Sequence, residues 1–278
     1  MRARLASLCW IAVAGCWGTP TPLAPGVRGS VGVPHHGVLD EGRPLAQRGE
    51  GYARLRDDDR RFGDGRLIAV LERAARDVAR RRPGGAPLVV ADLSAPNGGP
   101  LSRHRSHQSG RDADLLLYAL SPDGRSLTTP GFVRYGADGL ATADTRMRDF
   151  LRLDVERQWF FIKAMLEDPE AHVQWMFVAR WIEALVIEYA RARGESDELV
   201  WRAENVLHQP RDSWVHDDHI HLRLGCTPAD EVAGCVASGP RWPWLPAPLT
   251  PLIESDAALL DAILADEQGP PATGSKGS

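Results

Sequence analysis

Five of the nine histidines fall in two short strings about a hundred residues apart. The first runs Ser102-Arg103-His104-Arg105-Ser106-His107-Gln108-Ser109-Gly110-Arg111-Asp112-Ala113-Asp114, and the second His216-Asp217-Asp218-His219-Ile220-His221. Each mixes imidazoles with carboxylates, the donor set of a zinc site; catalytic zinc takes three protein ligands and keeps a fourth position open. A fold that uses both strings must bring two distant segments to one point. Alternate residues of a strand share a face, so His219 and His221 can address one site while Ile220 and Leu222 pack inward. Asp112 and Asp114 are related in the same way. His107 stands seven positions before Asp114, out of phase on one straight strand, and reaches the site if it sits on a loop that folds back at Gly110, where glycine permits the turn.

The surrounding sequence supplies elements for such a fold. Leu67, Ile68, Leu71, Ala74, Ala75 and Val78 have helical spacing within Leu67–Arg82, and Pro83-Gly84-Gly85 stops that helix. Pro87–Asp92 reads as a short strand, Asn97–Gln108 as a loop and Ala113–Ala119 as a buried strand. Further helices are expected over Leu151–Leu166 and Arg180–Arg191, with a strand over Val173–Val178. His219–Leu224 alternates with the period of a strand. The aromatic groups Trp159-Phe160-Phe161 and Trp175, Phe177, Trp181 read as core. His35, His36, His172 and His208 carry no partner pattern and read as ordinary surface or core residues. The expectation is one α+β domain over residues 52–238. Net charge is −4, and only Lys163 and Lys276 among the basic residues are lysine, so the Arg excess is compositional and gives no nucleic-acid footprint.

The termini point to export. Arg2 and Arg4 precede an apolar stretch from Leu5 to Ala14, shorter than the ~20 residues of a membrane span and of signal-peptide size. Val13-Ala14-Gly15-Cys16 resembles the lipobox of bacterial lipoproteins, in which the signal (residues 1–15) is cut before Cys16 and that cysteine is acylated. The alternative is a buried N-terminal helix with an incidental cysteine. If Cys16 carries lipid, Cys226 and Cys235 remain as an even pair in a compartment that permits disulfides. Residues 16–51 are Gly- and Pro-rich and read as a flexible tether; residues 239–278 read as a Pro-rich tail with an amphipathic helix over Ser255–Asp266.

The pattern His107-x-x-Gly110-x-x-x-Asp114 with His219-x-His221 resembles the signature of the zinc peptidases that group lysostaphin-type, D-Ala-D-Ala and hedgehog-type domains. The fuller strings, from His104 through Asp114 and from His216 through Arg223 to Cys226, resemble one branch, the penicillin-insensitive murein endopeptidases. That resemblance covers roughly Leu67 to Cys235. It implies one Zn2+ per chain held by His107, Asp114 and His221, and hydrolysis of the D-alanyl to meso-diaminopimelate cross-link in peptidoglycan. It also implies a Cys226–Cys235 disulfide. The fold expected is α+β, a central mainly antiparallel sheet carrying the single zinc site and flanked by helices.

His219 shares the strand face of His221 but lies outside the implied ligand set. It is assigned as general base or stabiliser of the tetrahedral intermediate; the competing reading is a fourth ligand that closes the site. His216 is placed with it among the catalytic candidates, and His216 and His104 are assigned to orienting ligands or holding a substrate carboxylate. Asp112 reads as a partner of a ligating imidazole, and Arg223 as either a contact for the acidic substrate or the partner of a nearby aspartate. Gln108 and Ser106 line the site or cap a turn. The expected partner is peptidoglycan, in the periplasm, with the membrane touched through an outer-membrane lipid anchor only and no nucleic acid; oligomeric state is left open. Competing activities are a zinc D,D-carboxypeptidase or L,D-peptidase on murein stems, and a non-catalytic zinc-containing peptidoglycan-binding module.

Overall fold

The computed structural model describes residues 28–143 and 149–247. The leader at Leu5–Ala14, Cys16 and the helix expected at Ser255–Asp266 lie outside the described residues.

Six short strands open the fold: β1 (Ser30–Val33), β2 (His36–Leu39), β3 (Arg43–Pro44), β4 (Arg48–Gly49), β5 (Tyr52–Arg54) and β6 (Phe62–Gly63). Helix α1 (Gly65–Arg81) follows, then β7 (Leu88–Val90), β8 (Asp112–Leu116), β9 (Ala119–Leu120), β10 (Ser126–Leu127), β11 (Leu140–Thr142) and β12 (Phe150–Leu153). The rest alternates α2 (Val155–Glu167), β13 (Val173–Phe177), α3 (Arg180–Ala192), α4 (Asp197–Val206), β14 (Leu207–His208), β15 (His219–Leu224) and α5 (Pro228–Val232). This is an α+β fold. Its main sheet has the order β14-β13-β15-β8-β7-β5-β4 and is antiparallel except where β13 meets β14 and β5 meets β7.

Helix α1 starts where the side chain of Asp64 accepts a hydrogen bond from the Leu67 amide at 2.6 Å, filling one of the open donors of a helix N-terminus. Leu67, Ile68, Leu71, Ala74, Ala75 and Val78 form one buried stripe, which α2 packs against. The expected helix over Leu151–Leu166 is divided: Phe150–Leu153 is strand β12, and Asp154 caps α2 by accepting from the Arg157 amide. The strand expected over Ala113–Ala119 is also divided, ending at Leu116, with Ala119–Leu120 joining a separate four-stranded sheet. Helix α4 was not anticipated. Its signal is present: Ser196 caps it through the Leu199 amide, Asp197 and Glu198 favour its positive end, and Leu199, Val200, Ala203 and Val206 bury one face.

The tether expected over residues 16–51 is part of the fold from Arg28 onward. Strands β1 and β2 make a hairpin, the Gly32 amide bonds Gly234 O and the Val236 amide bonds Gly32 O, and β4 edges the main sheet. Strands of two to four residues leave no measurable alternation in a Gly- and Pro-rich sequence, which is why composition alone suggests coil. The Pro-rich segment after residue 238 is likewise packed through Trp242, whose Nε1 donates to Gln174 O.

Arg111 clamps these pieces. It is wholly buried, and its guanidinium donates to Leu224 O, Gly32 O and Val236 O at 3.2–3.3 Å; burial lowers its pKa to about 10. Arg111→Met would remove three buried hydrogen bonds at once, each worth about 1 kcal/mol net. We expect a loss of about 3 kcal/mol and a thermal midpoint lower by roughly 10 °C. A shift under about 2 °C in a melting curve would show that the clamp is dispensable. Beside it, Cys226 and Cys235 form a disulfide across α5.

Candidate metal centre

Strand β15 lies between β13 and β8, with His221 opposite Asp114 and Arg223 opposite Asp112. Its other face carries Ile220, Leu222 and Leu224, all essentially inaccessible. That alternation locks the register, because a slip of one residue would drive His219, His221 and Arg223 into the core. The β7-to-β8 loop delivers His107 to the same place. His107 adopts φ +66 and Gly110 φ +76; a Cβ at Gly110 would sit 2.5 Å from Leu39 Cδ1, so the fold-back demands glycine there. The Asp112 carboxylate secures the turn by accepting from the His107 amide at 3.0 Å.

Around Asp114 Oδ1 converge His107 Nε2 at 3.2 Å, His221 Nδ1 at 3.0 Å and His219 Nε2 at 3.5 Å. His107 is fully buried, and both of its ring nitrogens, like Asp114 Oδ1, are buried without a hydrogen-bond partner. Orphaned polar atoms at that depth are costly unless something else satisfies them. Ligands about 2.0–2.1 Å from a tetrahedral zinc lie roughly 3.3 Å apart, and the separations of His107 Nε2 and His221 Nδ1 from Asp114 Oδ1 both match that value. Two clusters with metal-binding composition meet here, His104 with His107 and Asp114, and His216 with His219 and His221.

The electrostatics follow from this crowding. Burial would raise the Asp114 carboxyl, but His107 and His219 hold it well below the usual carboxylate range. Asp112 is treated likewise: burial opposes its charge, and the Arg223 guanidinium, at 2.7 and 3.2 Å, prevails. His107 is pushed down by burial. Burial also opposes a charge on His221, yet the carboxylates of Asp112 and Asp114 push it up to about 9. His216 falls to about 4, through burial and then the neighbouring His219 and His221.

Of the two readings for Arg223, the structure has the aspartate pair. Asp112 stands 3.6 Å from His221 Nε2, on the side away from Asp114. His104 bridges two carboxylates: Nε2 lies 3.0 Å from Asp92 Oδ2 and Nδ1 3.6 Å from Asp114 Oδ2. Asp92 in turn pairs with Arg56 and Arg60. His216 stacks obliquely against His219 at 5.2 Å, and its amide donates to Gln209 Oε1. His219 Nδ1 is 2.5 Å from Asp218 Oδ1 and its ring meets the edge of Phe132 at 5.3 Å.

Three neighbours escaped the sequence reading. Asp92 ends a short strand and reads as its terminus, Asp218 stands between His216 and His219 with no role assigned, and Phe177 reads as core. Phe177 instead stands opposite His221, ring centroids 5.5 Å apart, and is half-buried, as are Trp175 and Trp181. The Trp159-Phe160-Phe161 run is core as expected.

Comparison with known proteins agrees with this geometry. A family model described as penicillin-insensitive murein endopeptidase matches residues 30–241, a span that holds both strings and the disulfide. The chain belongs to the penicillin-insensitive murein endopeptidase family. It is 31% identical over 220 residues to the penicillin-insensitive murein endopeptidase of Haemophilus influenzae, covering 76% of this chain and 68% of that one. It is 28% identical over 267 residues to that of Escherichia coli O1:K1 / APEC, covering 88% and 90%. The family match begins at residue 30, where β1 begins, so the hairpin belongs to the family domain.

Proposed function

We propose that this member of the murein endopeptidase family is an exported, lipid-anchored zinc hydrolase of the D-alanyl to meso-diaminopimelate cross-links of peptidoglycan. The carrying observation is the convergence of His107 Nε2 and His221 Nδ1 on Asp114 Oδ1 at 3.2 and 3.0 Å, all three residues buried and two of these atoms otherwise unsatisfied. One Zn2+ bound there would supply a water acidified from a pKa of 15.7 to about 7 and an electrophile for the scissile carbonyl.

The chain's own groups do the rest. Asp112, fixed by Arg223, faces the far nitrogen of the His221 ring at 3.6 Å and would orient that ring once it ligates, the role carboxylates take behind ligating imidazoles. Asp218 accepts from His219 Nδ1, which leaves Nε2 with its lone pair toward the site, the tautomer a general base needs. His216, held neutral by burial, donates or accepts beside it without adding charge. His104, hydrogen-bonded to Asp92, stands 3.6 Å from the second oxygen of Asp114 and sets the charge around it.

Export and acylation at Cys16 place the enzyme in the periplasm on the outer membrane. No described helix is long and apolar enough to cross a membrane. Mass analysis of cross-linked muropeptide dimers incubated with the leaderless protein tests the proposal. Dimers should become monomers, the conversion should stop with chelator, and it should return with added zinc. Shortened stems with intact cross-links would make it a carboxypeptidase or L,D-peptidase; stoichiometric zinc with no product would make it a binding module.

A further inference from the structure

The sheet face that carries Asp114 and His221 continues beyond them. Phe177 is opposite His221, and His208 is opposite Phe177, so Asp114, His221, Phe177 and His208 form one row across four strands. A second row runs Asp112, Arg223, Trp175. Trp175 stacks on Phe177 at 5.6 Å and lies 5.3 Å from the His208 ring, while the Arg223 guanidinium sits over Phe177 at 5.6 Å. Phe177, Trp175 and His208 are all half-buried, so this aromatic floor meets solvent on one side.

Strands are about 4.8 Å apart, which puts His208 roughly 10 Å from His221. Two cations stand at that end. Arg180 opens α3 and Arg211 lies on the loop between β14 and β15; both are exposed. Neither has an ion pair or a side-chain hydrogen bond among the described residues, although the Arg180 charge also favours the Glu183 carboxylate one turn along α3. Both bear on His208, adding to burial in lowering its affinity for a proton. The Arg211 loop is not slack: Gln209 Oε1 accepts from the His216 amide, and Gln209 Nε2 donates to Pro210 O and Trp214 O. That pinned loop presents Trp214 with 90% of its surface exposed.

We propose that Arg180, Arg211 and His208 form a carboxylate subsite at the far end of this row, gripping an acidic group of the peptide stem while the bond to be cut lies at the Asp114–His221 end. The inference rests on the proposed function for its substrate class. An extended peptide advances about 3.3–3.6 Å per residue, so 10 Å corresponds to two or three residues, and murein stems carry free carboxylates within that reach. Guanidinium groups suit the task because they bind a carboxylate with two parallel hydrogen bonds.

The test titrates zinc-loaded protein calorimetrically with a stem tetrapeptide bearing free internal carboxylates and with the same peptide amidated at those positions. The parent should prefer the free acid by about tenfold, the scale of one charge-assisted hydrogen bond. The double variant Arg180→Ala, Arg211→Ala should lose that preference, and the Arg→Lys pair should keep most of it at low salt. Both positions are exposed, so thermal unfolding should be unchanged. A preference that survives in the alanine pair, or a parent with none, overturns the subsite. Digestion of cross-linked dimers separates the two readings. A parent that fails to cut them yet shows the arginine-dependent preference removes the catalytic reading and supports the subsite; cutting with an undiminished preference in the alanine pair does the reverse.

Discussion

The His107→Ala protein is expected to bind no stoichiometric zinc and to lose more than about 1,000-fold in muropeptide hydrolysis, because the proposed nucleophile is a water acidified by that metal. His107 is the right residue to remove. It is fully buried, both ring nitrogens lack protein partners, and its backbone holds a left-handed φ of +66 that few residues other than glycine adopt freely. Strain and unsatisfied donors together mark a position kept for something besides packing. The fold should hold while the site loses its ligand, because Asp112 keeps its bond to the residue-107 amide, which pins the turn independently of the side chain. Zinc content by mass spectrometry and initial rates on cross-linked dimers give the two readouts. A variant that retains one zinc per chain and turns over within tenfold of the parent would remove His107 from the ligand set.

The His219→Ala protein should separate chemistry from metal binding. If Asp218 and His219 act as a base pair, hydrolysis falls by about 100- to 10,000-fold while zinc remains stoichiometric. The geometry gives this experiment its edge, because His219 Nε2 lies 3.5 Å from Asp114 Oδ1, nearly as close as the two implied histidine ligands. Loss of zinc together with activity would identify His219 as a fourth ligand and the centre as closed. Asp218→Asn offers a milder version, since it keeps the shape but weakens the hydrogen bond that sets the tautomer. A drop of about 10- to 100-fold with zinc intact is expected there, a part of the base's own contribution, because the required tautomer is favoured less strongly.

Much of the site was legible in the two strings because the chemistry needs rare residue types at fixed strand spacing. His219, His221, Asp112 and Asp114 obey the two-residue period, and the structure puts His221 directly opposite Asp114. The Gly110 fold-back was legible too, for only glycine tolerates both its φ and its neighbours. Arg223 was readable only as a choice between two partners, and its bond to Asp112 needed the cross-strand register to decide it.

Elsewhere the chain was less informative. The split at Asp154 between strand and helix was hidden because Leu151 and Leu153 continue the apolar content of α2, so composition runs smoothly across a boundary set by a cap. The hairpin before residue 40 was hidden because each of its strands is four residues long, and its stability comes from bonds to residues 233–236 and to the His107 loop.

From the amino-acid order alone follow the α+β class, the helices whose apolar stripes repeat every three to four residues, the face of β15 that carries its polar residues, and the residues fit to hold a metal. Those are local properties, written in spacings of two to seven residues. Folding alone made Asp218 the partner of His219, tied Asp92 through His104 to Asp114, turned Phe177 toward His221, and carried the row on to His208 and its two arginines. Each of those depends on which strand or loop lies alongside which, and in what register. That pairing is set by burial of the opposite faces of β8, β13 and β15, summed over residues far apart in the chain, and no short string of sequence contains it.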